Sequence, residues 1–363
     1  MESTAANKFV CTGCGGQMLF DPDSQGLVCE QCGREEAIAS PVIEAPEYLY
    51  IPTEDTYTAP DWETEGARTI RCKGCGAECV LGAASMTTVC PFCGSRYILD
   101  EDAITAGILP ESLMPFQISR DKADGIFRAW AKKRFWAPKK YKNAVRNGGA
   151  LAGIYMPFWT FDANLYTSYS GQGGRDRIVV RTRRVNGKTQ TYTTTVTDWY
   201  PISGSDALCF DDQSAPATRR LDLDLVRKLG GYSTKFLNRY DPAFLTGFLA
   251  ERYDVGVGEG WASVAPGMQS HMERRIEAAG GYDHYRGMRY DHRFSEVRFK
   301  HILLPAWMYA FPFGKKTYPF MVNGETGKAA GRAPVSPLKV LAAVLGGLAL
   351  LFLIYAVLYF LGG

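Results

Sequence analysis

The chain of 363 residues carries a formal net charge of +3 and 46% hydrophobic residues. This near-neutral balance excludes a protein that is basic throughout, so a strongly charged stretch is a local asymmetry. No GxxxxGK[ST] phosphate-binding loop occurs, which excludes a nucleotide-driven motor; the nearest string, Gly314-Lys315-Lys316, has no preceding glycine at the required offset.

Met1 to Val10 (MESTAANKFV) lacks the basic-then-apolar build of a secretory signal. A cysteine framework follows, Cys11-x2-Cys14-x14-Cys29-x2-Cys32, and returns as Cys72-x2-Cys75-x14-Cys90-x2-Cys93. Each pair is trailed by a glycine (Gly15, Gly33, Gly76, Gly94), which lets the backbone turn tightly enough for amides to approach the thiolate sulfurs. Two such knuckles on a small β-scaffold supply four thiolates in a tetrahedron, the geometry of a structural Zn2+ site. Disulfides are the competing reading; a reducing compartment and the duplicated CxxCG favour metal. Two zinc ribbons are therefore predicted, over 1–33 and 68–100. Four sulfurs leave no open coordination position, so the metal is expected to fold the ribbons, which have too few apolar residues to fold alone, and not to catalyse. Cys79 is read as a spare thiol and Cys209, within an apolar ALCF run, as core.

Residues 34–67 are rich in proline and acid (Glu35, Glu36, Glu44, Glu47, Glu54, Asp55, Asp61, Glu63, Glu65). They read as a solvated linker with one short extended piece at Tyr48 to Ile51, leaving the ribbons free to move independently. The alternative is that these carboxylates lie along a basic segment further on.

The body, 101–330, is expected to be a mixed αβ unit. Ser119 is a candidate N-cap for a helix whose apolar face is Ala123, Ile126, Phe127, Trp130 and Ala131, with Pro138 marking its end. Ten Lys or Arg residues lie between Arg120 and Arg146 against only Asp121 and Asp124. The partners that suit this patch are anionic lipid, nucleic acid or the acidic linker. Gly153 to Tyr169 reads as strand, and Arg177 to Asp198 as a hairpin turning at Asn186-Gly187, with Arg181, Arg183, Arg184 and Lys188 facing outward. Residues 219 to 280 read as helical: Asp241-Pro242 starts a helix over Ala243 to Arg252, and Met268 to Ala279 forms another or the end of a long kinked one, stopped by Gly280-Gly281. Strands are predicted at Tyr282 to Glu296, His301 to Phe311 and Lys316 to Val322. Ile154 to Phe161 (IYMPFWTF) and Leu303 to Phe311 (LLPAWMYAF) echo each other, which raises the expectation of two related αβ halves around an antiparallel sheet.

After a juxtamembrane linker at 331–339, Val340 to Leu361 carries no charge. At ~1.5 Å per residue it is ~33 Å long, enough for a hydrocarbon core of ~30 Å. Lys328, Arg332 and Lys339 precede it and no charge follows, so the positive-inside bias puts the bulk of the chain in the cytoplasm, tail-anchored in the inner membrane. A buried core helix is the alternative. The fold class is thus α+β: two ribbons, an αβ body and one transmembrane helix.

Little else points to chemistry. His284 and His292 repeat as Tyr-Asp-His, an acid/base or metal pair in the functional reading and ordinary surface histidines in the plainer one. Asp162 is read as a cap or strand hydrogen-bond acceptor, with a catalytic carboxylate as the alternative. No catalytic residue, organic cofactor or small-molecule substrate is predicted.

The first ribbon, FVCTGCGGQMLFDPDSQGLVCEQCG, resembles TFIIB-type zinc ribbons, and the CPFCG of the second resembles the zinc-binding cysteine pairs of the primosomal helicase N-prime (replication factor Y), the label such chains often carry. Together with LMPFQISRDKADGIFRAWAKKRFWAP, GIYMPFWTFDA, HILLPAWMYAF and the terminal apolar segment, the chain resembles bacterial zinc-ribbon, single-pass membrane proteins. Some of these belong to membrane-stress modules with a phage-shock protein A relative and an SPFH-type protein. The resemblance implies a cytoplasm-facing adaptor that recruits protein partners at the membrane; a nucleic-acid-binding zinc-ribbon protein is the alternative.

Overall fold

The computed structural model describes residues 9–42, 46–52, 68–72, 75–81, 90, 92–93, 99–100, 110–147, 151–185, 188–234, 237–314 and 316–361, and its class is α+β. The elements run β1 (Met18–Asp21), β2 (Gly26–Cys29), β3 (Glu35–Ala37), β4 (Tyr48–Leu49), β5 (Arg68–Cys72), β6 (Glu78–Leu81), β7 (Leu99–Asp100) and β8 (Ser112–Leu113). Then come α1 (Arg120–Lys132), α2 (Lys139–Asn147), β9 (Ala152–Val185), β10 (Lys188–Pro216), α3 (Leu223–Leu229), β11 (Asn238–Arg239) and β12 (Leu249–Glu251). The chain closes with α4 (Val257–Gly280), β13 (His284–Phe313), β14 (Lys316–Asn323), β15 (Ala329–Gly331) and α5 (Pro337–Leu361).

Three strands dominate. β9, β10 and β13 are 34, 29 and 30 residues long, with β9 in the middle and antiparallel to both neighbours. Runs this long need places where register and twist can relax. Three bulges provide them, at Phe210/Gln213, Arg286/Arg289 and Ser295/Arg298, each holding a residue at positive φ: Asp212, Gly287 and Glu296. The bulge at Glu296 joins the two strands expected at 282–296 and 301–311 into one. Val185 pairs with Lys188 at the outer end, and the expected Asn186-Gly187 turn lies outside the described residues.

Along the inner part of β13, Ile302, Leu304, Ala306 and Met308 face one core and Leu303, Trp307 and Phe311 another, with Ile154 and Met156 of β9 joining the first and Tyr155 the second. Both faces are covered, which is why HILLPAWMYAF shows no polar alternation. Helices α1 and α2 cover one face, α3 the other, and α4 covers Trp159, Phe161, Ala163 and Leu165 further out.

Two short parallel strands flank this centre. β8 pairs with β13 at Ile302 and Leu303, and β12 pairs with β9 at Ile154 and Tyr155. The shift that carries Pro157 onto Pro305 and Trp159 onto Trp307 also carries the second pair of positions onto the first. Trp159 Nε1 donates to Val255 O and Trp307 Nε1 to Ile118 O, both at 2.8 Å. The residues after those two carbonyls, Gly256 and Ser119, are the N-caps of α4 and α1, both extended and neither making a side-chain cap bond.

One expectation fails here, and one open alternative is decided. Ala243 to Arg252 is not a helix: Asp241 caps a single 3-10 turn, Pro242–Leu245, and Gly247 at φ 86° turns the chain into β12. Residues 257–280 are one helix that contains Pro266 and ends where Gly281 takes a left-handed φ of 63°. Helix α2 is not expected from the sequence; among its described side chains the buried ones are Tyr141 and Val145, one turn apart among basic residues.

The cysteine-bearing sheets do not stand off from the body. β1, β2 and β3 form a separate antiparallel sheet, but the Phe20 ring packs on Phe244 and Phe248 with centroids 5.1 and 6.0 Å away. Its amide donates to Thr246 Oγ1 at 2.8 Å, and Gln25 Nε2 donates to Phe116 O at 2.8 Å. β5, β6 and β7 continue the main sheet, because β6 pairs with β12. Part of the expected linker is likewise ordered: β3 pairs with β2, and β4 with β13 at Arg298 and Phe299. Glu44, Glu54, Asp55, Asp61, Glu63 and Glu65 lie outside the described residues.

Candidate metal centres

The spacing of the cysteines is converted into geometry by the knuckles. In each of three, the amide of the glycine bonds back to the carbonyl of the first cysteine: Gly15 to Cys11, Gly33 to Cys29 and Gly76 to Cys72, at 2.9, 2.9 and 2.8 Å. Those glycines sit at φ 72°, 71° and 72°, a region closed to most side chains. Gly94 of the fourth lies outside the described residues.

All eight cysteines come together as the spacing predicts. Cys11, Cys14, Cys29 and Cys32 form one set and Cys72, Cys75, Cys90 and Cys93 the other, with all four sulfurs of each within 4.8 Å of one another. Cys11 Sγ is 3.6 Å from Cys32 Sγ and Cys14 Sγ 3.5 Å from Cys29 Sγ. In the second set Cys72 to Cys93 is 3.8 Å and Cys75 to Cys90 is 3.7 Å. Four sulfurs ~2.3 Å from a central ion have edges of ~3.8 Å, so both sets fit a tetrahedral ion such as zinc and are far too open for disulfides at ~2.05 Å. The Gly13 amide points at Cys11 Sγ from 3.4 Å. Backbone donors at Gly13 and Cys14 bring the Cys11 thiol down, while the neighbouring sulfurs of Cys32 and Cys29 push the Cys14 thiol up.

The two remaining cysteines differ. Cys79 is buried on β6, outside the second set, and burial pushes its thiol well up. Cys209 is exposed on β10, not core; its apolar neighbours Leu208 and Phe210 are the ones packed toward α4.

The histidines are not brought together. His284 Nε2 meets Asp176 Oδ2 at 3.0 Å, while His292 sits between Thr167 Oγ1 at 2.8 Å and Glu273 Oε1 at 3.1 Å. Asp162 Oδ1 accepts the amide of Asp212 at 2.7 Å, stitching the β10 bulge to β9 as an acceptor. Asp162, Asp211 and Asp212 cluster, but the ammonium of buried Lys300 stands 2.7 Å from Asp212 and 3.3 Å from Glu47, where a cation would go.

One polar cluster escaped the sequence. Glu251 on β12 is fully buried and accepts from Thr218 Oγ1 at 2.7 Å. Arg220 lies 3.8 Å from it and 3.0 Å from Asp254, and donates to Gly76 O of the second cysteine set at 3.0 Å. Burial pushes the Glu251 carboxyl up to about 8. In the sequence Glu251 falls inside the expected helix from Ala243 to Arg252, and nothing there singles it out.

No family model matches the chain, and no solved structure matches it. It is similar to the uncharacterized protein YdjG of Bacillus subtilis (strain 168), with 28% identity over 338 residues, 92% of each chain. A match of that length includes the sheet body as well as cysteine-bearing segments.

Proposed function

We propose that this protein is a membrane-anchored zinc-ribbon adaptor, with α5 crossing the inner membrane and the rest of the chain presented in the cytoplasm to protein partners. The observation that carries the reading is α5: it is long and apolar enough to cross a membrane and none of its apolar window is buried against the body. An uncovered helix of this kind needs lipid around it. Lys339 at its start and Arg332 before it support cytoplasmic placement of what precedes.

Each four-sulfur set holds one Zn2+ as a closed structural site, so the ions stiffen β-ribbons and take no part in catalysis. The protein is accordingly read as a non-enzyme. The echo between β9 and β13 is read as an internal duplication, with β8, α1, α2 and β9 repeated as β12, α4 and β13; the matched registers and the two tryptophan hydrogen bonds support it. The resemblance to zinc-ribbon membrane proteins suggests phage-shock protein A-like or SPFH-type partners. Crosslinking in intact membranes followed by pull-down tests the adaptor role: partners captured by wild type and lost with Cys14→Ser or Cys75→Ser support it, and an unchanged or empty capture contradicts it.

A nucleic-acid reading rests on the cysteine ribbons and the basic stretch from Arg120 to Arg146, and the exposed Arg181, Arg183 and Arg184 near the outer end of β9 add to it. Salt-sensitive DNA or RNA binding lost on neutralising these three would promote it.

A further inference from the structure

The connection between α1 and α2 reads KKRFWAPKK from Lys132 to Lys140, five cations and no acid. Helix α1 stops at Lys132 and α2 starts directly after Pro138, so the chain bends sharply and leaves two aromatic rings at the bend. Phe135 is 69% and Trp136 45% exposed, while Ala137 beside them is buried. Arg134 does not cover them; its guanidinium stacks on Trp130, 4.3 Å from the ring centroid.

This elbow is fastened to the base of α5. The Ser336 amide donates to Trp136 O at 2.8 Å. Lys339 Nζ donates to Phe135 O at 2.6 Å and to Ala137 O at 2.8 Å, and lies 5.3 Å from the Phe135 ring centroid. At ~1.5 Å rise per residue, Ser336 precedes Val340, the first residue of the uncharged run, by only ~6 Å. The headgroup layer on each side of a bilayer's hydrocarbon core is ~5–7 Å thick. When α5 spans the membrane, Trp136 is therefore held at headgroup depth.

We infer that the α1–α2 elbow is a second membrane contact, with Phe135 and Trp136 seated among the headgroups of anionic phospholipid and Lys132, Lys133, Arg134, Lys139 and Lys140 facing their phosphates. This rests on the reading of α5 as a membrane span. Aromatic side chains favour the interfacial layer, and a compact cluster of cations beside a spanning helix complements an anionic leaflet. Two contacts, one through the bilayer and one on it, fix the tilt of the body; a single helix on a hinge would leave it free to swing.

The test uses the full-length protein reconstituted in vesicles of phosphatidylcholine, alone or mixed with phosphatidylglycerol, carrying bromine near the headgroup end of the acyl chains. Wild type is compared with Trp136→Phe, so that the difference in quenched tryptophan fluorescence reports Trp136 alone. In the phosphatidylglycerol vesicles wild type loses the larger fraction of its emission, and the excess shrinks in a Lys139→Gln/Lys140→Gln variant. Equal quenching of wild type and Trp136→Phe, in proteins that float with the vesicles, overturns the elbow contact and leaves the span intact. A wild-type protein that does not float with either vesicle overturns both.

Discussion

Cys14 and Cys75 are the exposed second cysteines of their first knuckles, whereas Cys11 and Cys72 are buried. Replacing Cys14 by serine leaves three sulfurs for an ion that needs four, and elemental analysis should find one zinc per chain in place of two; Cys79→Ser and Cys209→Ser should change nothing. A retained second ion in Cys14→Ser would show that the first set is not the ligand set. Glu251 supports a different expectation. Its carboxyl is raised from the usual 4.5 to about 8 by burial, so the protonated form is the one the fold favours. The stability it contributes is fully present below ~4.5 and is lost as pH rises through ~8. Thermal midpoints across that window should fall less steeply in Glu251→Gln than in wild type, and parallel curves would refute the assignment.

Among the elements, β1 and the 3-10 turn meet through Phe20, which is buried against Phe244 and Phe248. Phe20→Ala should cost ~3–5 kcal/mol where the lost packing is not refilled, and should speed amide exchange in β1 to β3. Exchange unchanged from wild type would mean that this sheet is held by its sulfurs alone. The paired tryptophans give a sharper test of duplication. Trp159→Phe and Trp307→Phe each remove one indole donor to the carbonyl that precedes a helix N-cap. Each should cost ~1 kcal/mol, by similar amounts. A loss confined to one of them in chemical denaturation would break the equivalence.

Legibility follows from range. The cysteine sets and α5 were readable because their signals are local, a ligand spacing in one case and an uncharged run in the other. Helix α1 was readable from its apolar period. Helix α2 was not, since Tyr141 and Val145, buried among its described side chains, are surrounded by lysines. β8 and β12 are two and three residues long, too short for any periodicity, and they exist because β13 and β9 offer them partners. The docking of β1 on the body and the burial of Glu251 are contacts between distant segments, invisible until the chain is folded.

At the scale of the whole molecule, the long strands set a direction. A 34-residue strand is ~110 Å long at ~3.3 Å per residue. α5 follows β14 and β15, which pair at the inner end of β13, while Val185 and Lys188 meet at the opposite end of β9 and β10. The three-stranded ribbon therefore extends away from the region where α5 begins, an arrangement suited to holding an interaction surface off a bilayer. Membrane washing tests this account most directly. The full-length protein should stay with the membranes through high salt and alkaline carbonate and be released by detergent; release by salt alone would contradict a spanning α5 and the adaptor built on it.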